Sequence, residues 1–214
     1  MDKRLSFSQK LIDWHQVHGR HDLPWQSDQS AYHVWISEIM LQQTQVATVI
    51  PYFNKFILNF PTIKSLASAG EDDVLRLWTG LGYYSRARNL MKTAQLIQTL
   101  HDGEFPTNID LLIALPGIGR STAGAIISLA FEAKAAILDG NVKRVLARYH
   151  GIRGWPGHGK IEKKFWAVAE ASLPDKNYRT YSQSVMDLGA TLCTRAKPEC
   201  IRCPLRKGCH AFKH

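Results

Sequence analysis

Apolar residues recur at helical spacing along almost the whole chain, and the strict alternation that marks half-buried strands is nearly absent. Phe7, Leu11, Trp14 and Val17 step along one face and stop at Gly19, the pattern of an amphipathic helix ended by glycine. The same period predicts helices at about 31–49, 52–59, 71–79, 84–101, 108–114, 121–130, 141–149, 160–172 and 178–192, with glycine or proline at most joins. An all-α chain is therefore expected. Its 214 residues, 45% hydrophobic, suffice for one good core or two small ones, and no apolar run nears the roughly 20 residues of a membrane span. The first residues lack the apolar run and cleavage site of a signal peptide, so a soluble cytoplasmic protein, nucleoid-associated if bacterial, is expected.

Net charge is +9, from 27 Lys and Arg against 18 Asp and Glu. Such an excess favours a polyanionic partner, of which nucleic acid is the commonest in a soluble chain. The basic residues crowd around the chain's only four cysteines, spaced Cys193-x6-Cys200-x2-Cys203-x5-Cys209. Disulfides would need an oxidising compartment, and a four-cysteine zinc site usually brings two C-x2-C pairs where only Cys200 and Cys203 make one. A [4Fe–4S] cluster tolerates unequal gaps, and it is the favoured reading, with Cys193, Cys200, Cys203 and Cys209 as ligands.

Leu115-Pro-Gly-Ile-Gly-Arg-Ser-Thr-Ala123 places two glycines one residue apart between two helices. Such a hairpin exposes backbone N–H groups at a helix start and can hold a phosphate. Glu38 lies on a helix with Val34, Trp35, Leu41 and Gln42 as its neighbours. Desolvation there would raise its pKa and suit a general acid, although most helical glutamates simply reach solvent. Asp139 directly precedes a helix, where capping explains its type and would keep it ionised. A protonated Glu38 and an anionic Asp139 form the split pair that glycosidic chemistry requires. Gln42, Gln43, Thr44 and Gln45 make a polar tract that could hold open a base stack. Gly80-Leu-Gly-Tyr-Tyr-Ser-Arg-Ala-Arg88 mixes aromatics with arginines, suited to stacking and phosphate contact.

Together these segments, with Leu23-Pro-Trp25 and Leu138-Asp-Gly-Asn-Val-Lys-Arg144, resemble the endonuclease III superfamily of helix-hairpin-helix DNA glycosylases. The nearest likeness is to its adenine-specific mismatch branch, the MutY type, from about Phe7 to Cys209. The resemblance implies a six-helix barrel with the hairpin over 28–134. A second lobe, 1–27 with 135–214, would end in the [4Fe–4S] loop, with the active site in the groove between. It implies a monomer that removes adenine mispaired with 8-oxoguanine or guanine from double-stranded DNA. Glu38 would protonate adenine N7 and later help activate water, and Asp139 would stabilise or trap the cationic sugar. Gln43 and Tyr83 would wedge into the duplex, and Leu23, Trp25, Gln26, Gln42 and Gln183 would lie near the adenine pocket, with Asn141 near Asp139. Gly117, Gly119, Arg144, Arg195 and Lys197 would meet the DNA backbone.

Bifunctional members carry a lysine where this chain has Ser121, and a hydroxyl cannot form the Schiff base that leads to strand cleavage. Monofunctional base removal is therefore expected. Members of the branch usually continue into a further domain that reads the opposite base, yet this chain stops five residues after Cys209, as a catalytic fragment or a short variant would. Thymine or uracil removal by a relative of the same superfamily, or a non-catalytic iron–sulfur DNA-binding module, are the competing readings.

Overall fold

A computed structural model describes residues 6–214. Helical periodicity is realised there as thirteen α-helices and no strand. In chain order these are α1 (Phe7–His18), α2 (Pro24–Ser27), α3 (Ala31–Leu41), α4 (Val46–Asn59), α5 (Ile63–Ala67), α6 (Glu71–Trp78), α7 (Ser85–Leu100), α8 (Ile109–Ile113), α9 (Arg120–Ala125), α10 (Gly140–His150), α11 (Gly159–Ala171), α12 (Tyr178–Thr191) and α13 (His210–Lys213). A π-helical turn, Ile126–Ala130, extends α9. Among the described residues no helix is long and apolar enough to cross a membrane. The chain divides into two units, His21–Phe131 and a second made of residues up to Arg20 with Glu132–His214.

In the first unit α3 is apolar on nearly every side, and seven of its eleven residues are buried: Tyr32, Val34, Trp35, Ile36, Ser37, Ile39 and Met40. A helix with so narrow a polar stripe must be covered all round, and α2, α4, α7, α9 and the π-helical turn all pack on it. Burial of Ile36 and Met40 contributes roughly 1.5–3 kcal/mol each. The expected six-helix barrel is therefore corrected: the described elements surround a central α3 as a hub.

The helix expected over 31–49 is also corrected. It stops at Leu41, and the chain breaks over Gln42–Gln45 before α4 starts. Pro51 lies inside α4, where its missing N–H forfeits one ladder bond without ending the helix.

The second unit packs α1 and α10 on α12, with α11 and α13 on α10. Leu11, Trp14, Leu146, Phe165, Tyr181 and Leu188 fill its core. Helix α10 carries both local signals of a well-ended helix: Asp139 accepts from Val142 N at its start, and Gly151 takes the left-handed conformation (φ 66°) at its end.

Candidate functional site

Asp139 is set by its own helix. One carboxylate oxygen accepts from Val142 N at 2.7 Å, the other from Asn141 Nδ2 at 3.2 Å. Asn141 is oriented in turn by Arg144, which donates to Asn141 Oδ1 at 2.7 Å. Burial nonetheless raises the Asp139 carboxyl above the ordinary carboxylate range; the amides of Val142 and Asn141 and the charge of Arg144 oppose the rise without overcoming it. Desolvation thus outweighs the cap, and Asp139 holds its proton to higher pH than an ordinary aspartate.

Arg144, expected at the DNA backbone, is half-buried. It donates to Gly189 O at 2.6 Å and Cys193 O at 2.7 Å, so its fork braces α12 and the chain beyond it. Arg148 does the same one turn on, donating to Thr194 O at 2.8 Å, Arg195 O at 3.2 Å and Cys193 Sγ at 3.3 Å.

The cysteine loop also departs from expectation. Among the described residues no three His, Cys, Asp or Glu side chains are grouped so as to hold a metal ion, and all four cysteines are free. The [4Fe–4S] assignment for Cys193, Cys200, Cys203 and Cys209 is therefore withdrawn. The thiols serve the chain itself: Cys209 Sγ donates to Arg148 O at 3.5 Å, and Cys193 and Cys203 pack against the core. Burial, with the neighbouring Cys193, Cys209 and Cys200, pushes the Cys203 thiol up to about 11, although the Leu205 amide opposes the rise. Arg195 and Lys197 remain exposed on this loop, Lys197 with a left-handed backbone (φ 52°).

In the first unit Glu38 is half-buried on α3, between buried Ser37 and Ile39. One turn beyond, Gln42 leaves the helix and Gln43 is exposed with φ 57°. Across the unit the turn before α7 exposes Tyr83, also left-handed with φ 51°. Arg86, expected among phosphate-contacting arginines, points inward instead. It is 8% exposed and joins the two segments: Nη1 donates to Ile39, Met40 and Gln42 carbonyls at 2.8, 3.0 and 2.7 Å, and Nη2 to Leu81 and Gly82 carbonyls at 3.0 and 3.2 Å. Nothing in the sequence distinguished it from Arg88, which pairs with Glu71 on the surface.

The hairpin forms as expected. Ile118 is buried while Gly117, Gly119 and Arg120 are exposed, and Gly119 caps α9 ahead of half-buried Ser121. Gly117 needs to be glycine, because its φ is 78° and a Cβ would come within 3.0 Å of Asn89. Thr93 on α7 secures the turn by donating to Pro116 O at 2.8 Å. Elsewhere in this unit Gln26 accepts from Leu23 N to cap α2, and buried Trp25 packs edge-on against Phe53. Gln183, expected near a base pocket, belongs to the second unit and donates to Asp187 at 3.0 Å.

Asp187 itself carried no sequence signal. Fully buried on α12, it accepts from Arg20 N at 2.8 Å and from Arg20 Nε and Nη2 at 2.9 and 2.6 Å, with His15 Nε2 at 3.2 Å. Burial alone would raise its carboxyl, but the His15 bond and the Arg20 charge and donors hold it below the ordinary value.

Residues 36–171, well over half of the chain, match the family model described as HhH-GPD superfamily base excision DNA repair protein. A protein of Buchnera aphidicola subsp. Acyrthosiphon pisum (strain APS) named adenine DNA glycosylase is 55% identical over 205 residues, covering 96% of this chain and 59% of the relative. The Homo sapiens protein of that name is 41% identical over 215 residues, 96% of this chain and 39% of its own length. The solved structure of a thermostable thymine-DNA glycosylase superposes with a TM-score of 0.85 at 28% identity, over 97% of this chain and 95% of that one. The chain thus spans about three fifths or less of the length of these two curated relatives.

Proposed function

The chain belongs to the HhH-GPD superfamily of base excision DNA repair proteins, and from that premise we propose that it is a monofunctional DNA glycosylase that removes mispaired adenine from double-stranded DNA. The opposite base is 8-oxoguanine or guanine, and the product is an abasic site. The observation that carries this reading is the 55% identity, over 96% of the chain, to a protein named adenine DNA glycosylase. Thymine removal draws support only from the 28% identical structure.

The residues fit the chemistry in named roles. The exposed amides around Gly117 and Gly119 hold a phosphate, aided by Arg195 and Lys197, so binding weakens steeply with salt. Gln43 and Tyr83 enter the stack as adenine is extruded, a step costing a few kcal/mol and least at a mismatch. Glu38 donates a proton to N7, which makes adenine a leaving group. Asp139 then faces the cationic sugar. Its carboxylate is held by two amide donors, and Arg144 bonds Asn141, not Asp139, so the charge is oriented without being neutralised by a bonded cation. Water adds to the sugar, and Ser121, having no amine, forms no imine.

Single-turnover reactions on duplexes holding A opposite 8-oxoguanine, A opposite G and T opposite G test this reading, each with and without alkali. Adenine release with strand scission only after alkali is expected. Breaks without alkali would defeat the monofunctional assignment, and thymine release without adenine release would overturn the substrate.

A further inference from the structure

Helix α7 turns one face toward the surface segments of its unit. Arg86, Asn89 and Thr93 stand at helical spacing on that face: Arg86 bonds the break after α3 and the turn before α7, Asn89 occupies the space a Cβ on the hairpin's Gly117 would need, and Thr93 donates to the carbonyl of Pro116. Arg86 does the most. Two of its acceptors, the carbonyls of Gln42 and Gly82, belong to the peptide groups that lead directly into Gln43 and Tyr83. These are the two exposed residues of the unit's reading surface with left-handed backbones, φ 57° and 51°, a conformation that costs a non-glycine residue of order 1–3 kcal/mol and persists only where the surroundings impose it. Every acceptor of the guanidinium among the described residues is a neutral oxygen, so its charge is spent on the backbone of two loops. Its plane also lies over Trp78 and against the Tyr83 ring, at 5.4 and 5.6 Å. Only a planar fork with several donors reaches both segments at once.

We propose that Arg86 is a positioning residue for strand opening: it locks the peptide planes preceding Gln43 and Tyr83, so that both side chains stand preformed for the duplex before it arrives. This rests on the glycosylase reading above. Preorganisation of this kind lowers the ordering cost of the encounter and acts on base extrusion, not on bond cleavage.

The test is a double-mutant cycle on the full chain. Arg86→Lys keeps the charge and loses the fork, and it is combined with the Gln43→Ala, Tyr83→Ala double variant. The readouts are single-turnover adenine release and the fluorescence of 2-aminopurine placed beside the mismatch, which reports unstacking. Arg86→Lys alone is expected to slow unstacking and release by about 100-fold, and to cost far less once both wedge side chains are gone. Equal losses in the two backgrounds would show a general structural role and overturn the proposal. Should Arg86→Lys fail to fold, Gln43→Val is compared with Gln43→Ala. The β-branched residue resists the left-handed backbone, so it must lose more activity, and equal loss overturns the proposal. A wild-type chain that releases no base from any duplex sinks the glycosylase reading instead, and is thereby distinguished from failure of the clamp.

Discussion

Two aspartates of the same unit are desolvated and hydrogen-bonded, yet their carboxyls move in opposite directions. Asp187 meets a guanidinium fork and an imidazole and is held acidic; Asp139 meets two amides and is pushed up by burial. At Asp187 the His15 bond and the Arg20 charge and donors outweigh desolvation, whereas at Asp139 the amides and the Arg144 charge do not. Asp187 is accordingly a structural carboxylate that ties α12 to α1 and the segment after it. Asp139 keeps an unspent charge at the start of α10, which is the condition for acting on a cationic sugar.

The largest effect that separates them is catalytic. Asp139→Asn keeps a good cap, so single-turnover adenine release should fall by at least about 100-fold while the urea midpoint stays level or rises. A fall in stability comparable with the fall in rate would erase the distinction. Asp187→Asn is the converse: it leaves Arg20 and His15 facing a neutral amide and should cost about 3 kcal/mol in urea unfolding, with the rate per folded molecule nearly unchanged.

Stability against pH sharpens the contrast. The folded-state carboxyl of Asp187 is depressed, so its contribution is complete above the ordinary carboxylate value and is lost as pH falls through the depressed one. Asp139 holds its proton longer folded than unfolded. Stability therefore declines as pH rises from the ordinary value through the raised one, while base release climbs as Asp139 ionises. Melting curves should lose the first dependence in Asp187→Asn and the second in Asp139→Asn. The smallest effect is that of Gln183→Ala, about 1 kcal/mol for one bond to Asp187. A selective loss of adenine release there would place Gln183 at the base pocket.

What was legible in the sequence was local. The hairpin around Gly117 and the start of α10 at Asp139 follow from glycine conformation and capping, each decided within a few residues. The first helix also ends at Gly19, where the backbone is extended (φ −69°) and it is the missing Cβ that leaves room for the His15 ring. Less legible were features whose partners lie far along the chain. A helix was expected to run to 49, yet α3 ends at Leu41, where Arg86, far along the chain, takes the carbonyls that a continuing helix would use. Arg144, expected at the DNA backbone, is half-buried and donates to distant carbonyls of its own chain. The cysteines looked like a ligand set because of their spacing, but spacing does not say whether thiols are grouped to hold a metal ion or serve the core and Arg148.

The order of residues alone therefore determined an all-helical chain, its glycine hairpin and the capped carboxylate, because backbone preference and helical period act over one or two turns. Only the tertiary structure decided which charges are spent. Whether Arg86, Arg144 and Asp187 face solvent or carbonyls, and whether a buried carboxyl rises or falls, depends on partners brought together by packing, whose hydrogen bonds and desolvation no local pattern encodes.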